Sequence, residues 1–181
     1  TRVLLIGDSY AKDFMNGVAA SDWAHQVQIS THSISVGCGN LYVRNDLSGL
    51  VTNGYPPLCE TEGRYRSDTL LQLMKDAEII WLVTSWQPWE IRFLKQSLDA
   101  LRRDFGDKFV VVGAKSFGDI KPRQLLKVPE VERPKHANPI SAQFLANNLA
   151  VEQAAQGVPF VNQHRLMCGV GSARACLLYT S

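Results

Sequence analysis

The sequence has no long apolar run: no stretch approaches the roughly 18 residues that a membrane-spanning helix needs. It also lacks an excess of either charge. The 19 basic and 17 acidic residues are interspersed and leave a net charge of +2, which argues against a nucleic-acid-binding protein or a polybasic membrane surface. No GxGxxG or GxxxxGK(S/T) opens a helix, so the glycine-rich cradles for dinucleotides and nucleoside triphosphates are missing. The 4 cysteines include no CxxC pair, which argues against a structural zinc site, and no cofactor or metal is expected. Internal repeats and low-complexity tracts are absent as well. What is left is a chain of 181 residues, 45% hydrophobic, with a mean hydropathy of −0.10. That is enough for one globular domain with a sizeable core.

The opening, Arg2 to Asn16 (RVLLIGDSYAKDFMN), organises the rest. Val3 to Ile6 is an unbroken apolar run of the length expected for a strand buried on both faces of a parallel sheet, and Gly7 ends it just before Asp8 and Ser9. Tyr10, Phe14, Met15 and Val18 then recur at helical spacing. Ser9 therefore falls in a tight turn where a strand hands over to a helix. In open parallel α/β sheets the ligand crevice lies beyond the carboxyl ends of the strands, and a helix N-terminus stabilises negative charge placed beside it. Ser9 is accordingly the candidate nucleophile. Asp8, adjoining it, is expected to bond backbone amides in the turn.

Strand and helix alternate along the remaining chain. His25 to Ser33 reads as a second, more exposed strand, and Gly37 to Cys59 as a long Gly-, Asn- and Pro-rich loop. Arg66 to Asp76 reads as a helix with Leu70, Leu73 and Met74 inward, and Ala77 to Thr84 as a buried third strand. Pro88 to Phe105 is a helix with an Ile91, Leu94, Leu98 and Leu101 stripe, and Phe109 to Gly113 is the fourth strand. A polar loop holding Pro122, Pro129, Pro134 and Pro139 suits a lid or rim. Ser141 starts a helix with Phe144, Leu145, Leu149 and Val151 apolar, and Pro159 to Asn162 is a fifth strand. The expectation is a three-layer α/β/α sandwich on a doubly wound, flavodoxin-like parallel sheet. Cys38 and Cys59 bracket the first long loop, either as a disulfide that closes it or as two reduced, partly buried thiols.

Gly7-Asp8-Ser9 after a hydrophobic first strand resembles the first motif block of the SGNH (GDSL-like) hydrolases. The wider match is to the SGNH domain fused to bacterial acyltransferase-3 type membrane O-acyltransferases. It rests on GDSYAKDF, a cysteine-containing loop after the second strand, VTSWQPW after the third and VVVGAKSFGDI after the fourth. This resemblance covers nearly the whole chain and stops before the family's final block. It implies the SGNH hydrolase fold, a periplasmic or extracellular location, and a Cys38–Cys59 disulfide. It also implies acetyl transfer to, or removal from, a cell-surface glycan through an acyl-enzyme on Ser9, the donor being delivered by an attached membrane acyltransferase domain. No nucleic-acid partner is expected.

The resemblance places oxyanion donors at the backbone N–H of Ser9 and at a glycine after the second strand, where Gly37 and Gly39 both match by position. The family's third donor is an asparagine in a GxND block after the third strand; Thr84-Ser85-Trp86-Gln87 stands there instead, leaving Ser85 and Trp86 as candidates. Trp86 and Trp89 are further candidates for an aromatic wall against a sugar ring, or for ordinary packing. A serine hydroxyl needs a base, usually a histidine oriented by a carboxylate, and the family supplies both from a DxxH segment. No aspartate follows Asp119, and His164 lacks an aspartate three residues before it. None of His25, His32, His136 and His164 is assigned as the base.

Cys176 to Ser181 (CLLYTS) matches the translation of a transposase adapter used in shotgun sequencing libraries. The expectation is one domain over 1–175 with 176–181 as a non-native tail, the base and its carboxylate lying beyond the break, and the present chain inactive. Cys168 would otherwise pair with Cys176. With no methionine before the first strand, the chain also reads as a domain of a longer protein, with any anchor or export signal upstream. The competing reading, which the missing GxND and DxxH blocks favour, is a catalytically inactive SGNH-like module that binds glycan or scaffolds a membrane partner. A nucleotide-binding flavodoxin-like domain is the weakest alternative, because its phosphate loops are missing.

Overall fold

The structure, a computed structural model, describes residues 1–51, 57–60, 64–116, 122–135, 137–169 and 175–177. Five parallel strands form one sheet: β1 (Arg2–Gly7), β2 (Gln28–Ser33), β3 (Ile79–Val83), β4 (Phe109–Val112) and β6 (Phe160–Val161), in the order β2-β1-β3-β4-β6. This is the flavodoxin-like order, with its topological switch between β1 and β3. The helices are α1 (Ser9–Ala19), α2 (Asp68–Asp76), α3 (Pro88–Phe105), the single turn α4 (Pro122–Leu125), α5 (Ala142–Ala154) and α6 (Gln163–Cys168).

The apolar run of β1 is buried as its composition demands. Leu4 and Ile6 point into a large core with Leu70 and Met74 of α2, Leu94, Leu98 and Leu101 of α3, and Val151 of α5. Leu5 points the other way, where Ala11, Phe14 and Met15 of α1 cover Val83 and Val112. Each such aliphatic side chain contributes roughly 1.5–3 kcal/mol on burial. The helix ends follow from local chemistry. Ser67 caps α2 by accepting from the Leu70 N–H at 3.4 Å. Pro88 begins α3, Arg102 and Arg103 sit in its last turn, and Gly106 follows at φ 87°, a conformation that glycine adopts without strain.

Cys38 and Cys59 form a disulfide, their Cα atoms 5.3 Å apart, and both sulfurs belong to the core beneath α2 and α3. The loop between them is thereby tied to the domain at both ends. Cys168 is also disulfide-bonded; the side chain of Cys176 lies outside the described residues.

Some elements differ from the sequence expectation. His25 lies in a 3₁₀ turn (Asp22–Gln26) ahead of β2, where Trp23 stacks on Trp81 of β3 with ring centroids 5.2 Å apart. That contact holds the chain off the sheet until Gln28. In α5 the buried residues are Asn148 and Val151, while Leu149 is 53% exposed. The inward stripe runs Phe144, Asn148, Val151 and Ala155, and Leu149 sits one residue off it. Within the proline-rich loop, β5 (Ala137–Pro139) pairs antiparallel with β7 (Ala175–Leu177), so three residues of the expected rim are strand. The expected tail begins within β7.

Gly7 marks the closest approach in the sheet. A Cβ there would collide with the Val83 carbonyl and press on the Ala11 side chain, so only glycine lets α1 begin against β3. Gly7→Ala should therefore lower the unfolding free energy by about 1–3 kcal/mol, read as a shift in urea midpoint at unchanged slope. A variant as stable as the parent would contradict this packing.

Candidate active site

The turn between β1 and α1 is held by Asp8. Its backbone is extended and its carboxylate caps α1, Oδ1 accepting from the Tyr10 N–H at 2.8 Å. Oδ2 reaches across the switch point and accepts from the Thr84 hydroxyl at 2.8 Å and the Ser85 N–H at 3.0 Å. Asp8 is 5% exposed, so three donors compensate a buried negative charge that would otherwise be costly. The local role read from the sequence is present, and the bond to the β3 loop adds to it. With Asp8 turned inward, Ser9 is left exposed as the first residue of α1. Its N–H has no partner within the helix.

The segment after β2 supplies the second wall. Gly37 lies in a tight turn closed by the Cys38 N–H donating to the Ser35 carbonyl at 2.8 Å. Gly39 has φ 74°, and a Cβ on it would strike the Trp89 ring; glycine is required there for both reasons. Asn40 follows, 2% exposed, and joins three elements. Its Nδ2 donates to the Ile6 carbonyl at 3.2 Å, its Oδ1 accepts from the Tyr65 hydroxyl at 2.7 Å, and its N–H donates to Glu90 Oε1 at 2.8 Å.

Glu90 is fully buried in the first turn of α3, and its second oxygen accepts from the Gln87 N–H at 2.7 Å. Burial pushes its carboxyl up to about 7, against the two backbone N–H groups that favour the charged form, with the Asp8 charge adding to the rise. Burial and the nearby Glu90 likewise push up the Tyr65 hydroxyl, which therefore stays a donor to Asn40.

The loop after β3 forms the third wall. The Ser85 N–H is committed to Asp8, and the Ser85 hydroxyl accepts from Gln87 Nε2 at 3.2 Å. Trp86 is 4% exposed and donates its indole N–H to the Val112 carbonyl at 2.9 Å. Trp89 is half-buried against Gly39. The buried Trp86 ring does not stand free as a platform. A crevice of about 270 Å³ opens beside this loop, between Tyr10, Ser85, Gln87 and Phe144. Lys115, beyond β4, pairs with Asp13 of α1 at 3.3 Å. The residues the sequence singled out after β1, β2 and β3 thus gather at the carboxyl ends of the strands.

Among the described residues no base is hydrogen-bonded to Ser9. Among the described residues no histidine is hydrogen-bonded to its hydroxyl. His25 is exposed in its turn; His32 lies on β2, its imidazole pKa lowered by burial; His136 lies outside the described residues. His164 caps no charge: it is 7% exposed at the start of α6, its Nδ1 3.4 Å from the Ser116 carbonyl and its ring edge-on to Phe144. Among the described residues no group of three or more His, Cys, Asp and Glu is placed to hold a metal ion, and no helix is long and apolar enough to cross a membrane.

Sequence reasoning missed Asn40, Tyr65 and Glu90 as structural partners of the site. A signal existed for one of them: Gln87-Pro88-x-Glu90 has the spacing of a helix start with a glutamate reaching back to the cap. No family model matches the chain, and no curated protein matches it either.

Folding raises the Glu90 pKa from 4.5 to about 7, so the folded chain binds the extra proton. The stabilisation is complete below about 4.5 and is lost as pH rises through about 7, a difference on the order of 3 kcal/mol. Urea titrations of the wild type and Glu90→Gln from pH 4.5 to 8 should show stability falling with pH in the former relative to the latter. Parallel curves would remove the buried carboxyl from the account.

Proposed function

We propose that the chain is the SGNH-like part of a serine-dependent carbohydrate O-acetyltransferase or esterase, with Ser9 as the nucleophile. The observation that carries this reading is the placement of Ser9. It is exposed at the N-terminus of an 11-residue helix, at the switch point of a flavodoxin-order sheet, beside an aspartate whose two oxygens are fully engaged elsewhere. Asp8 is therefore a scaffold for the turn and is not free to serve as the triad carboxylate.

In this reading the Ser9 Oγ attacks the carbonyl carbon of an acetyl ester. A bond forms from Oγ to that carbon, the ester C–O bond breaks, and the Ser9 proton passes through a base to the departing alkoxide. A glycan hydroxyl or water then takes the acetyl group from Ser9 by the reverse steps. The α1 N-terminus and the Ser9 N–H favour the negative charge that develops on the carbonyl oxygen, and one well-aimed donor of this kind lowers the barrier by about 2.7–4 kcal/mol. Gly37 and Gly39, in the segment after β2, are the candidates for a further backbone donor.

The base and its orienting carboxylate are assigned to chain following residue 175, from the family's DxxH block. Location on the periplasmic or extracellular face, a glycan acceptor, and an acetyl donor supplied by an attached membrane domain belong to the same proposal.

The test uses the gene read beyond codon 175 from longer DNA of the same source, and the protein it encodes. That protein should hydrolyse p-nitrophenyl acetate, Ser9→Ala should lower kcat/KM by at least a thousandfold without unfolding it, and the present 181-residue chain should be near the uncatalysed rate. Equal activity in the completed wild type and Ser9→Ala would overturn the mechanism. A natural continuation with no histidine would do the same, and would favour an inactive glycan-binding module.

A further inference from the structure

The crevice of about 270 Å³ beside the loop after β3 has no charged side chain among the described residues that line it. The ions next to its walls in sequence are engaged elsewhere. Lys115, after Ala114, pairs with Asp13 at 3.3 Å, and Glu152, after Val151, pairs with Arg165 at 3.6 Å. Asp8 and Glu90 are buried, each carboxylate turned to its own donors. An ionic ligand would meet no counter-ion here and would lose its hydration without compensation. The volume lies below the range of about 300–1,000 Å³ that suits drug-sized ligands, which leaves room for a single small ring.

The walls keep spare hydrogen-bonding groups after their internal bonds are counted. From α5, Gln143, Phe144, Asn147 and Asn148 line the crevice at the spacing of one helix face. Gln143 Nε2 donates to Asn147 Oδ1 at 2.8 Å, which sets the two amides side by side and leaves Gln143 Oε1 to accept and Asn147 Nδ2 to donate. From α1, the Tyr10 hydroxyl makes no hydrogen bond to any described residue. The Ser85 hydroxyl accepts from Gln87 Nε2 at 3.2 Å and keeps its own proton to donate. Asn148 is 5% exposed and donates to Asn162 at 3.1 Å, and its Oδ1 is a buried acceptor with no partner. Beside these groups the Tyr10 and Phe144 rings supply apolar surface. An acyl chain would leave the amides and hydroxyls unmatched, and a nucleotide phosphate would meet no cation.

We propose that this crevice holds one uncharged sugar ring, and that Tyr10, Gln143 and Asn147 select it over acidic and amino sugars. A sugar ring carries hydroxyls that both donate and accept, around an apolar face of C–H groups, and the walls offer the complement of each. That the ring is a sugar rests on the glycan reading above; that it is uncharged rests on the walls alone. The crevice shares Tyr10 and Ser85 with the turn that presents Ser9: Tyr10 follows Ser9 in α1, and Asp8 holds the Ser85 N–H. A ring seated there lies next to the candidate nucleophile.

The experiment is a ligand-observed NMR titration of the 181-residue chain with the methyl glycosides of glucose, galactose, rhamnose and N-acetylglucosamine at millimolar concentration. The methyl glycosides of glucuronate and glucosamine are the charged comparisons, and adenosine is the uncharged flat heterocycle. At least one neutral glycoside should bind, at least tenfold tighter than either charged one, and with less than twofold change between low and high salt. Tyr10→Phe removes a hydroxyl that bonds to no described residue, and Gln143→Ala with Asn147→Ala changes two exposed positions. Each should weaken binding at least threefold at unchanged thermal midpoint, while Ser9→Ala binds as the parent does. Failure of all four neutral glycosides would overturn the proposal. So would equal or tighter binding of a charged glycoside or adenosine, or indifference to both variants in folded protein. A completed protein that forms the acyl-enzyme although the chain binds no neutral glycoside would remove this subsite alone. Binding by a chain whose completed form makes no acyl-enzyme would remove the nucleophile alone.

Discussion

The bond from Asp8 to the loop after β3 is the constraint on which the candidate site depends. A buried carboxylate held by the Tyr10 N–H, the Thr84 hydroxyl and the Ser85 N–H fixes where α1 starts, and so fixes the direction in which Ser9 faces. The tie is possible only because Gly7 lets β1 and β3 approach without a side chain between them. Removing the charge at Asp8 would leave donors from two elements buried and unmatched, a heavier penalty than the loss of one surface hydrogen bond. An aspartate before a candidate nucleophile is here part of the framework of the turn.

A second network supports the first from behind. Asn40 and Glu90 link the end of β1, the segment after β2 and the first turn of α3, and Tyr65 joins them from the chain leading into α2. The disulfide of Cys38 and Cys59 anchors the same segment in the core. The short stretch from Gly39 to Arg44 is therefore held at its start. Burial pushes the Glu90 carboxyl up to about 7, and its Oε1 accepts from the Asn40 N–H at the start of that stretch.

Much of the fold was legible because its signals are local. The apolar run of β1, the 3.6-residue stripes of α2 and α3, and the break at Gly7 each follow from a few neighbouring residues, and alternation of strand and helix then limits the topology. What escaped depends on partners distant in sequence. Asn40 meets Glu90 across 50 positions, and β5 meets β7 across some forty. The inward turn of Asn148 in place of Leu149 was hidden because α5 has apolar residues on more than one side. Within the site, the turn position of Ser9 and the capping of α1 by Asp8 could be read from GDS, whereas the commitment of the Ser85 N–H to Asp8 could not.

The central claim is that Ser9 carries the acetyl group. The most direct measurement is mass spectrometry of the completed protein, quenched in acid during turnover of an acetyl ester and digested. The account predicts an acetyl group on the peptide containing Ser9, absent from the Ser9→Ala protein and lost when acceptor is added before the quench. An actively turning-over enzyme with no acetyl on that peptide, or with acetyl equally present after Ser9→Ala, would contradict it.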